Sequence, residues 1–373
     1  MIKRLIETKI TAGFYKNKAI LIFGARQVGK TTLIKSILKN YKNDVLFLNG
    51  DEIETKELLT ESSVKLKLLF GEKKIIIIDE AQNIENIGLI LKIIVDTMPD
   101  IQVIATGSSA FELSNKANEP LTGRKFQFML YPLSFSEMVK HHGYLEEYKL
   151  IDHRLIYGYY PEIVINTGKE LNLLKLLTNS YLYKDLLILE QIKRPKLIEK
   201  ILKALALQVG SEVKYNEIAQ LVGADNQTVE KYIDILEQAF IIFRLSSFNK
   251  NVRNEIKKGK KIYFYDNGIR NAIIGNFLPL SSRQDIGVLW ENFIISERKK
   301  MNEYKNNTVN SYFWRTNMQQ EIDYIEEYEG NLFAYEIKYN ENKKAKFPIT
   351  FITAYNNCKF EIINKNNFET FLL

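Results

Sequence analysis

Ala19-Ile-Leu-Ile-Phe23-Gly24-Ala25-Arg26-Gln27-Val28-Gly29-Lys30-Thr31-Thr32 is the stretch on which the fold turns. Its first five residues form a short apolar run with β-branched members, which reads as a buried strand. Beyond it, Leu33, Ile34, Ile37 and Leu38 recur at helical spacing. A strand, then G-x-x-x-x-G-K-T, then a helix is the context a phosphate-binding loop requires. Glycines let the backbone curl so that its N–H groups face phosphate oxygens, and the helix start adds positive potential. On this reading Gly24, Ala25, Arg26, Gln27, Val28, Gly29 and Thr32 wrap the phosphates of ATP. Lys30 reaches the β- and γ-phosphates, and Thr31 gives its hydroxyl to Mg²⁺.

Lys73-Lys-Ile-Ile-Ile-Ile-Asp79-Glu80-Ala-Gln82 supplies the complementary half. An unbroken aliphatic run is the look of a parallel strand buried on both faces. Two carboxylates at its end lie at the sheet edge where open α/β sheets bind ligands. Asp79 then holds the Mg²⁺ shell, and Glu80 orients the water that attacks the γ-phosphate. A third aliphatic strand, Ile101-Gln-Val-Ile-Ala105, closes in Thr106-Gly-Ser108-Ser109. Hydroxyls there serve either as sensors of the γ-phosphate, Ser108 above all, or as ordinary helix N-caps.

These elements, with Leu121-Thr-Gly-Arg124, Phe126-Gln-Phe-Met-Leu-Tyr131-Pro-Leu-Ser-Phe135-Ser-Glu137, Gly158-Tyr-Tyr-Pro-Glu162 and Tyr181-Leu-Tyr-Lys-Asp185, resemble the prokaryotic AAA+ ATPases related to the Orc/Cdc6 branch. The resemblance implies that Arg124, just before the last core strand, is a finger that enters a neighbour's ATP site. A finger acting in trans implies a homo-oligomer. The other reading of Arg124 is an arginine salt-bridged on its own surface. Arg154 is the candidate for a second sensing arginine. Lys260-Lys-Ile-Tyr-Phe-Tyr-Asp266-Asn-Gly-Ile-Arg270-Asn271 extends the match into a C-terminal part that the family carries as a domain of unknown function.

With 373 residues the chain is too long for one ordinary core, and 46% hydrophobic with 26% charged residues is the profile of a folded soluble protein. The aliphatic runs are far too short for a membrane span, and the beginning lacks the apolar core of a signal peptide. A single cysteine, Cys358, excludes an intrachain disulfide. The expected location is the cytoplasm, with no membrane partner. Lys and Arg number 52 against 45 Asp and Glu, a net charge of +7 that favours nucleic acid only where it is clustered.

Residues 171–205 place apolar side chains at helical spacing, as for a helical lid. Residues 215–222 read as a helix, Gly223-Ala-Asp225 as a turn, residues 227–238 as a second helix and Phe240-Ile-Ile-Phe-Arg-Leu245 as a strand, the pattern of a winged helix. Asp225 or Asn226 caps the second helix. Gln227, Thr228 and Lys231 would face a DNA groove, yet Glu230, Asp234 and Glu237 share their helix, which suits a protein partner instead. Residues 249–261 are rich in Lys, Arg and Asn and read as a basic loop or a wing.

Leu289-Trp-Glu291-Asn-Phe-Ile-Ile-Ser-Glu297 looks helical, and three strands follow around Trp314, Asp323 and Glu336-Ile-Lys338. By the period of two, Glu321 shares a face with Asp323, and Glu336 with Lys338. Helix, D, then E-x-K resembles the PD-(D/E)XK nuclease core. In that core carboxylates of neighbouring strands hold a divalent metal against a phosphodiester, and the lysine stabilises developing charge. Glu291, Asp323, Glu336 and Lys338 fill the positions of such a site and its second metal. Alternating Glu and Lys is equally the look of a solvated strand face.

The expected architecture is α/β, with four parts. They are a P-loop AAA+ parallel-sheet domain over residues 1–138, a helical lid over 139–195, a winged-helix domain over 196–260 and a nuclease-like α/β domain over 261–373. The expected function is Mg²⁺-dependent ATP hydrolysis that drives or switches the C-terminal module. The alternatives are an ATP-licensed, metal-dependent DNA nuclease and a non-catalytic, ATP-dependent protein-interaction switch.

Overall fold

The computed structural model describes residues 1–108, 121–182, 194–249, 259–316, 318–342, 346–355 and 357–373. Ser109, residues 183–185 of the Tyr181 motif and most of the basic 249–261 loop lie outside the described residues. Two compact units emerge, Met1–Pro132 with Gln238–Phe240, and Leu133–Glu237 with Ile241–Leu373.

The first unit is built on strands β1 (Ala19–Phe23), β2 (Val45–Asn49), β3 (Ile75–Asp79), β4 (Gln102–Gly107) and β5 (Lys125–Met129). Among the described residues they form a five-stranded sheet in the order β2-β3-β4-β1-β5, parallel throughout. The three unbroken aliphatic runs become the central strands, buried along their whole length, because both their faces are covered. The edge strands β2 and β5 are half-buried and mix polar residues into their sequences. Parallel pairing brings the C-terminal ends of β1, β3 and β4 to one edge, so Gly24, Asp79-Glu80 and Thr106–Ser108 converge although they are distant in sequence.

The second unit holds β6 (Glu212–Val213), β7 (Ile242–Ser247), β8 (Lys260–Phe264), β9 (Asn310–Arg315), β10 (Glu321–Tyr328), β11 (Asn331–Ile337) and β12 (Lys359–Ile363). They form a mixed sheet in the order β12-β11-β10-β9-β7-β8-β6 that runs without a break across residue 260. The join is a short parallel pairing, Ser246 with Tyr312 and Ser247 with Phe313. Helices Pro195–Leu207, Tyr215–Val222 and Asn226–Gln238 precede β7, and Asp225 caps the last of them by accepting the Thr228 N–H at 2.8 Å. Strand β7 begins at Ile242 rather than Phe240, because Phe240 adopts a left-handed φ of 57° that an extended run cannot include.

The long helix Ile286–Lys305 is central to this unit. Its Trp290 and Phe293 pack with Phe135 and Phe368 into an aromatic core, with ring centroids 5.2 to 6.4 Å apart. Phe135 opens the helix Phe135–His142, whose start is closed by a capping box. Glu137 N–H donates to Ser134 Oγ at 3.2 Å, and Ser134 N–H to Glu137 Oε2 at 3.0 Å. Ser134 is buried, so water cannot replace the lost acceptor. Ser134→Ala should cost about 1–2 kcal/mol of the unit's stability in urea unfolding, with Ser134→Thr close to wild type. Among the described residues no helix is long and apolar enough to cross a membrane.

Candidate functional site

The loop after β1 is shaped by steric necessity. A Cβ on Gly24 would collide with the Leu130 carbonyl oxygen, while Leu130 N–H pairs with Phe23 O at 2.7 Å. Gln27 and Gly29 take left-handed φ values of 63° and 95°, which turn the backbone into the helix Lys30–Ile37. Lys30 is buried, and its ammonium donates to the carbonyls of Gly24 at 2.9 Å and Ala25 at 3.1 Å, inside the loop it would share with phosphates. Arg4 braces the loop from behind by donating to Val28 O at 2.8 Å and Tyr131 O at 2.6 Å.

Thr31 Oγ1 donates to Asp79 Oδ2 at 2.7 Å, and Thr106 Oγ1 donates to Asp79 Oδ1. Asp79 is thus oriented by hydroxyls from two neighbouring elements. Thr106 Oγ1 also accepts the Glu80 N–H at 3.2 Å. Glu80 itself sits at φ 50°, strained for a residue with a side chain. Gly50 packs so closely on the Glu80 carbonyl that any Cβ would clash. Gln82 Nε2 donates to Glu80 Oε2 at 2.7 Å and to Ser108 Oγ at 3.2 Å. Ser108 therefore reaches the acid through Gln82, a link that residue-type reasoning missed although Gln82 lies in the quoted motif. The oxygens of a hydroxyl and two carboxylates are hard ligands fitted to Mg²⁺, and the Lys30 ammonium is a donor fitted to phosphate oxygens.

Arg124 forms an ion pair with Asp96, Nε to Oδ1 2.6 Å, with both side chains more than a third exposed. Arg154 belongs to the other unit, buried against Glu147 at 3.1 Å, which also accepts from Tyr159 at 2.7 Å.

The second unit gathers the C-terminal candidates on one side of its sheet. Lys338 Nζ lies 3.0 Å from Asp323 Oδ2 and 2.7 Å from Glu336 Oε2, an ammonium between two carboxylates. Asp323 also accepts the Ile337 N–H at 2.8 Å. Its aim comes from a bulge, since the register of β10 on β9 shifts between Ile322 and Ile325. Ile322 and Ile325 can then share one core cluster, and Asp323 is left to Lys338. Burial and the nearby negative Asp323 raise the Glu336 pKa to about 7 against the pull of Lys338. Glu291, on the long helix, is also raised by burial, offset by Lys261 and reinforced by Asp323. Lys261 is fully buried, 3.3 Å from Glu291 and paired with Glu321, and Tyr263 donates to Glu291 at 2.7 Å. Among the described residues no three His, Cys, Asp or Glu side chains form a ready metal cage.

Residues 16–139 match the profile of an AAA domain. The nucleotide-binding unit is an AAA+ domain. Residues 148–280 and 286–369 match two domains of unknown function, DUF8612 and DUF4143. An uncharacterized protein of Haemophilus influenzae is 25% identical over 277 residues, covering 68% of this chain and 69% of its own. One of Mycobacterium tuberculosis is 24% identical over 342 residues, covering 90% of this chain and 74% of its own. The Thermotoga maritima RuvB Holliday junction branch migration motor is 18% identical, with a TM-score of 0.34, covering 68% of this chain and 94% of that one.

Outside the AAA+ domain, the quoted motifs explain themselves as architecture. Gly158, at φ 75°, leaves room for the Asp266 carboxylate, which accepts the Tyr159 N–H at 2.6 Å and caps the helix Asn267–Ile274 at Ile269. Asn271 donates to the Leu155 and Ile156 carbonyls at 3.1 and 2.8 Å. Lys261 and Tyr263 were overlooked as site residues, though their period-two spacing in Lys260-Lys-Ile-Tyr-Phe already put them on one face.

Proposed function

We propose that the chain hydrolyses ATP with Mg²⁺ and that turnover drives or switches the second unit. The observation that carries the reading is Asp79, bonded at once to Thr31 and Thr106, with Glu80 anchored by Gln82 beside it. Lys30 exchanges the Gly24 and Ala25 carbonyls for phosphate oxygens. Thr31 and Asp79 hold the metal ion, which would neutralise charge on the phosphates when bound. Glu80 orients the attacking water, and Gln82 relays the state of Ser108 to it. Arg124 would complete the site of a neighbouring copy in a homo-oligomer, at the expense of its pair with Asp96.

In the second unit we read helix Pro195–Leu207, β6, the two following helices and β7–β8 as a winged helix. The β6-β8-β7 ladder supports that reading. Arg244 pairs with both Asp234 and Glu237, offsetting one of their two charges, while Gln227 and Lys231 are exposed on the helix beside the equally exposed Glu230, so the objection to DNA is lessened only in part. Steady-state ATP hydrolysis by the full chain, with and without double- and single-stranded DNA and with chelated metal as the blank, tests the assignment. Turnover that chelation abolishes is expected. Stimulation by DNA makes nucleic acid the partner, whereas a rate unmoved by DNA turns the assignment to a protein. Turnover indifferent to chelation would defeat the Mg²⁺ reading.

A second reading, an ATP-licensed metal-dependent nuclease, is favoured by the convergence of Asp323, Glu336, Lys338 and Glu291. Its check is DNA cleavage in Mg²⁺ or Mn²⁺ with and without ATP. Cleavage should vanish in Asp323→Ala while ATP turnover stays at the wild-type rate, and intact DNA under every condition would refute it.

A further inference from the structure

Strands β7 and β9 pair at Ser246–Tyr312 and Ser247–Phe313, and just beyond β7 the Phe248 N–H donates to Phe313 O at 2.6 Å. Before that point β7 runs on against β8 alone, and β9 against β10 alone, so the sheet opens into a fork. A cavity of about 230 Å³ occupies the fork, under the helix Ile286–Lys305. Its polar lining includes Arg244 and Ser246 from β7, Ser311 from β9, Tyr324 from β10 and Lys299 from the helix, and it contains no carboxylate.

Lys299 is the anomaly. Lys261, Lys300, Lys338 and Arg298 of the same unit each contact a carboxylate. Among the described residues Lys299 makes no ion pair or hydrogen bond, and its ammonium rests 5.3 Å from the centre of the Phe243 ring. Burial pulls its pKa below the ordinary lysine value, and Glu303 and Glu237 act on it only from a distance. Behind the wall Glu326 accepts from Tyr324 at 3.1 Å but is already held by Arg298 at 2.6 and 2.8 Å. Arg244 is likewise engaged by Asp234 and Glu237. A half-buried charge without a counter-charge is still disfavoured relative to water, and the lining supplies no counter-charge for it.

We propose that the fork is a binding site for a small phosphorylated ligand, with Lys299 as the charge partner of the phosphate and Ser311, which now bonds the Tyr324 hydroxyl at 2.8 Å, as its hydroxyl donor. Several acceptor oxygens on one centre suit donors that arrive from the helix and β9, and a charge-assisted bond is stronger than a neutral one. The cavity volume leaves room for a modest organic group beyond the phosphate. The site is separate from the P-loop and does not depend on its assignment.

Because the P-loop also takes phosphate, the test uses full-length Lys30→Ala as the background. Titration calorimetry with inorganic phosphate and with ribose 5-phosphate should show binding to Lys30→Ala. Affinity should fall at least about tenfold on adding Lys299→Met, as expected for one lost charge-assisted contact. Ser311→Ala should weaken binding several-fold with Lys299 in place. Unfolding of Lys299→Met, followed without ligand, should occur at or above the wild-type temperature, which separates lost binding from lost folding. Tighter ribose 5-phosphate identifies an organic phosphate, and equal affinities identify the inorganic ion. Equal binding with and without Lys299, or no binding to Lys30→Ala at millimolar concentrations, overturns the proposal.

Discussion

Glu80→Gln is expected to slow ATP turnover by about 10²- to 10⁴-fold while ATP affinity changes little, and Lys30→Ala to lose affinity itself. The two variants should fail in different ways because the proposal gives the residues different jobs. Lys30 is a buried ammonium among loop carbonyls, so its removal takes away the charge that receives the phosphates. Glu80 needs its charge to polarise water, and its amide replacement keeps the size and can still accept from Gln82. Its backbone is fixed independently of the side chain, by the Thr106 hydroxyl and the close approach of Gly50, so the substitution should leave the site's shape intact. Nucleotide affinity by titration and turnover by phosphate release, measured on both variants, separate the roles. Wild-type turnover in Lys30→Ala would remove the P-loop from the mechanism, and wild-type turnover in Glu80→Gln would move water activation to another group.

How far the sequence reaches differs between the two units for a physical reason. In the AAA+ domain the deciding strands are buried on both faces, so each is an unbroken run such as Ile75–Ile78, and each ends in residues of the proposed site. Local pattern and site coincide there. The second unit is held by contacts that no local pattern contains. The carboxylate of Asp266 reaches the Tyr159 amide 107 positions away, and the β7–β9 pairing that unites the sheet spans only Ser246 and Ser247. Alternation put Glu336 with Lys338, and the structure has them paired, but the bulge that aims Asp323 breaks the alternation on which such a reading depends. Lys261 was hidden by its type, since a lysine in a strand usually reads as surface, whereas here burial is met by Glu291 and Glu321.

The acid cluster itself yields a pH signature with an unusual sign. Glu336 has a folded pKa of about 7 against an ordinary 4.5, so between those values the folded chain keeps a proton that the unfolded chain releases. Stability contributed by this group is therefore full below about pH 4.5 and falls as pH rises towards 7, with no further slope above. At about 1.36 kcal/mol per pH unit the loss is bounded near roughly 3 kcal/mol, and Asp323 and Lys338 share in it. Glu336→Gln has no such proton to lose. Relative to wild type it should gain nothing at pH 4.5 and be more stable by about 1–3 kcal/mol at pH 8, although it surrenders the charge on one side of Lys338. Both tryptophans, Trp290 and Trp314, lie in this unit, so fluorescence-detected unfolding reads it selectively. An unchanged pH slope in the variant would mean that Glu336 ionises as an ordinary carboxylate. The same assay bears on the nuclease reading. A divalent ion held by Asp323 and Glu336 would offset the burial and the Asp323 repulsion that together raise the Glu336 pKa. Mn²⁺ at pH 8 should then raise the unfolding temperature of wild type more than that of Glu336→Gln. Equal shifts would leave the cluster as an internal ion network in which Lys338 already performs the cation's role.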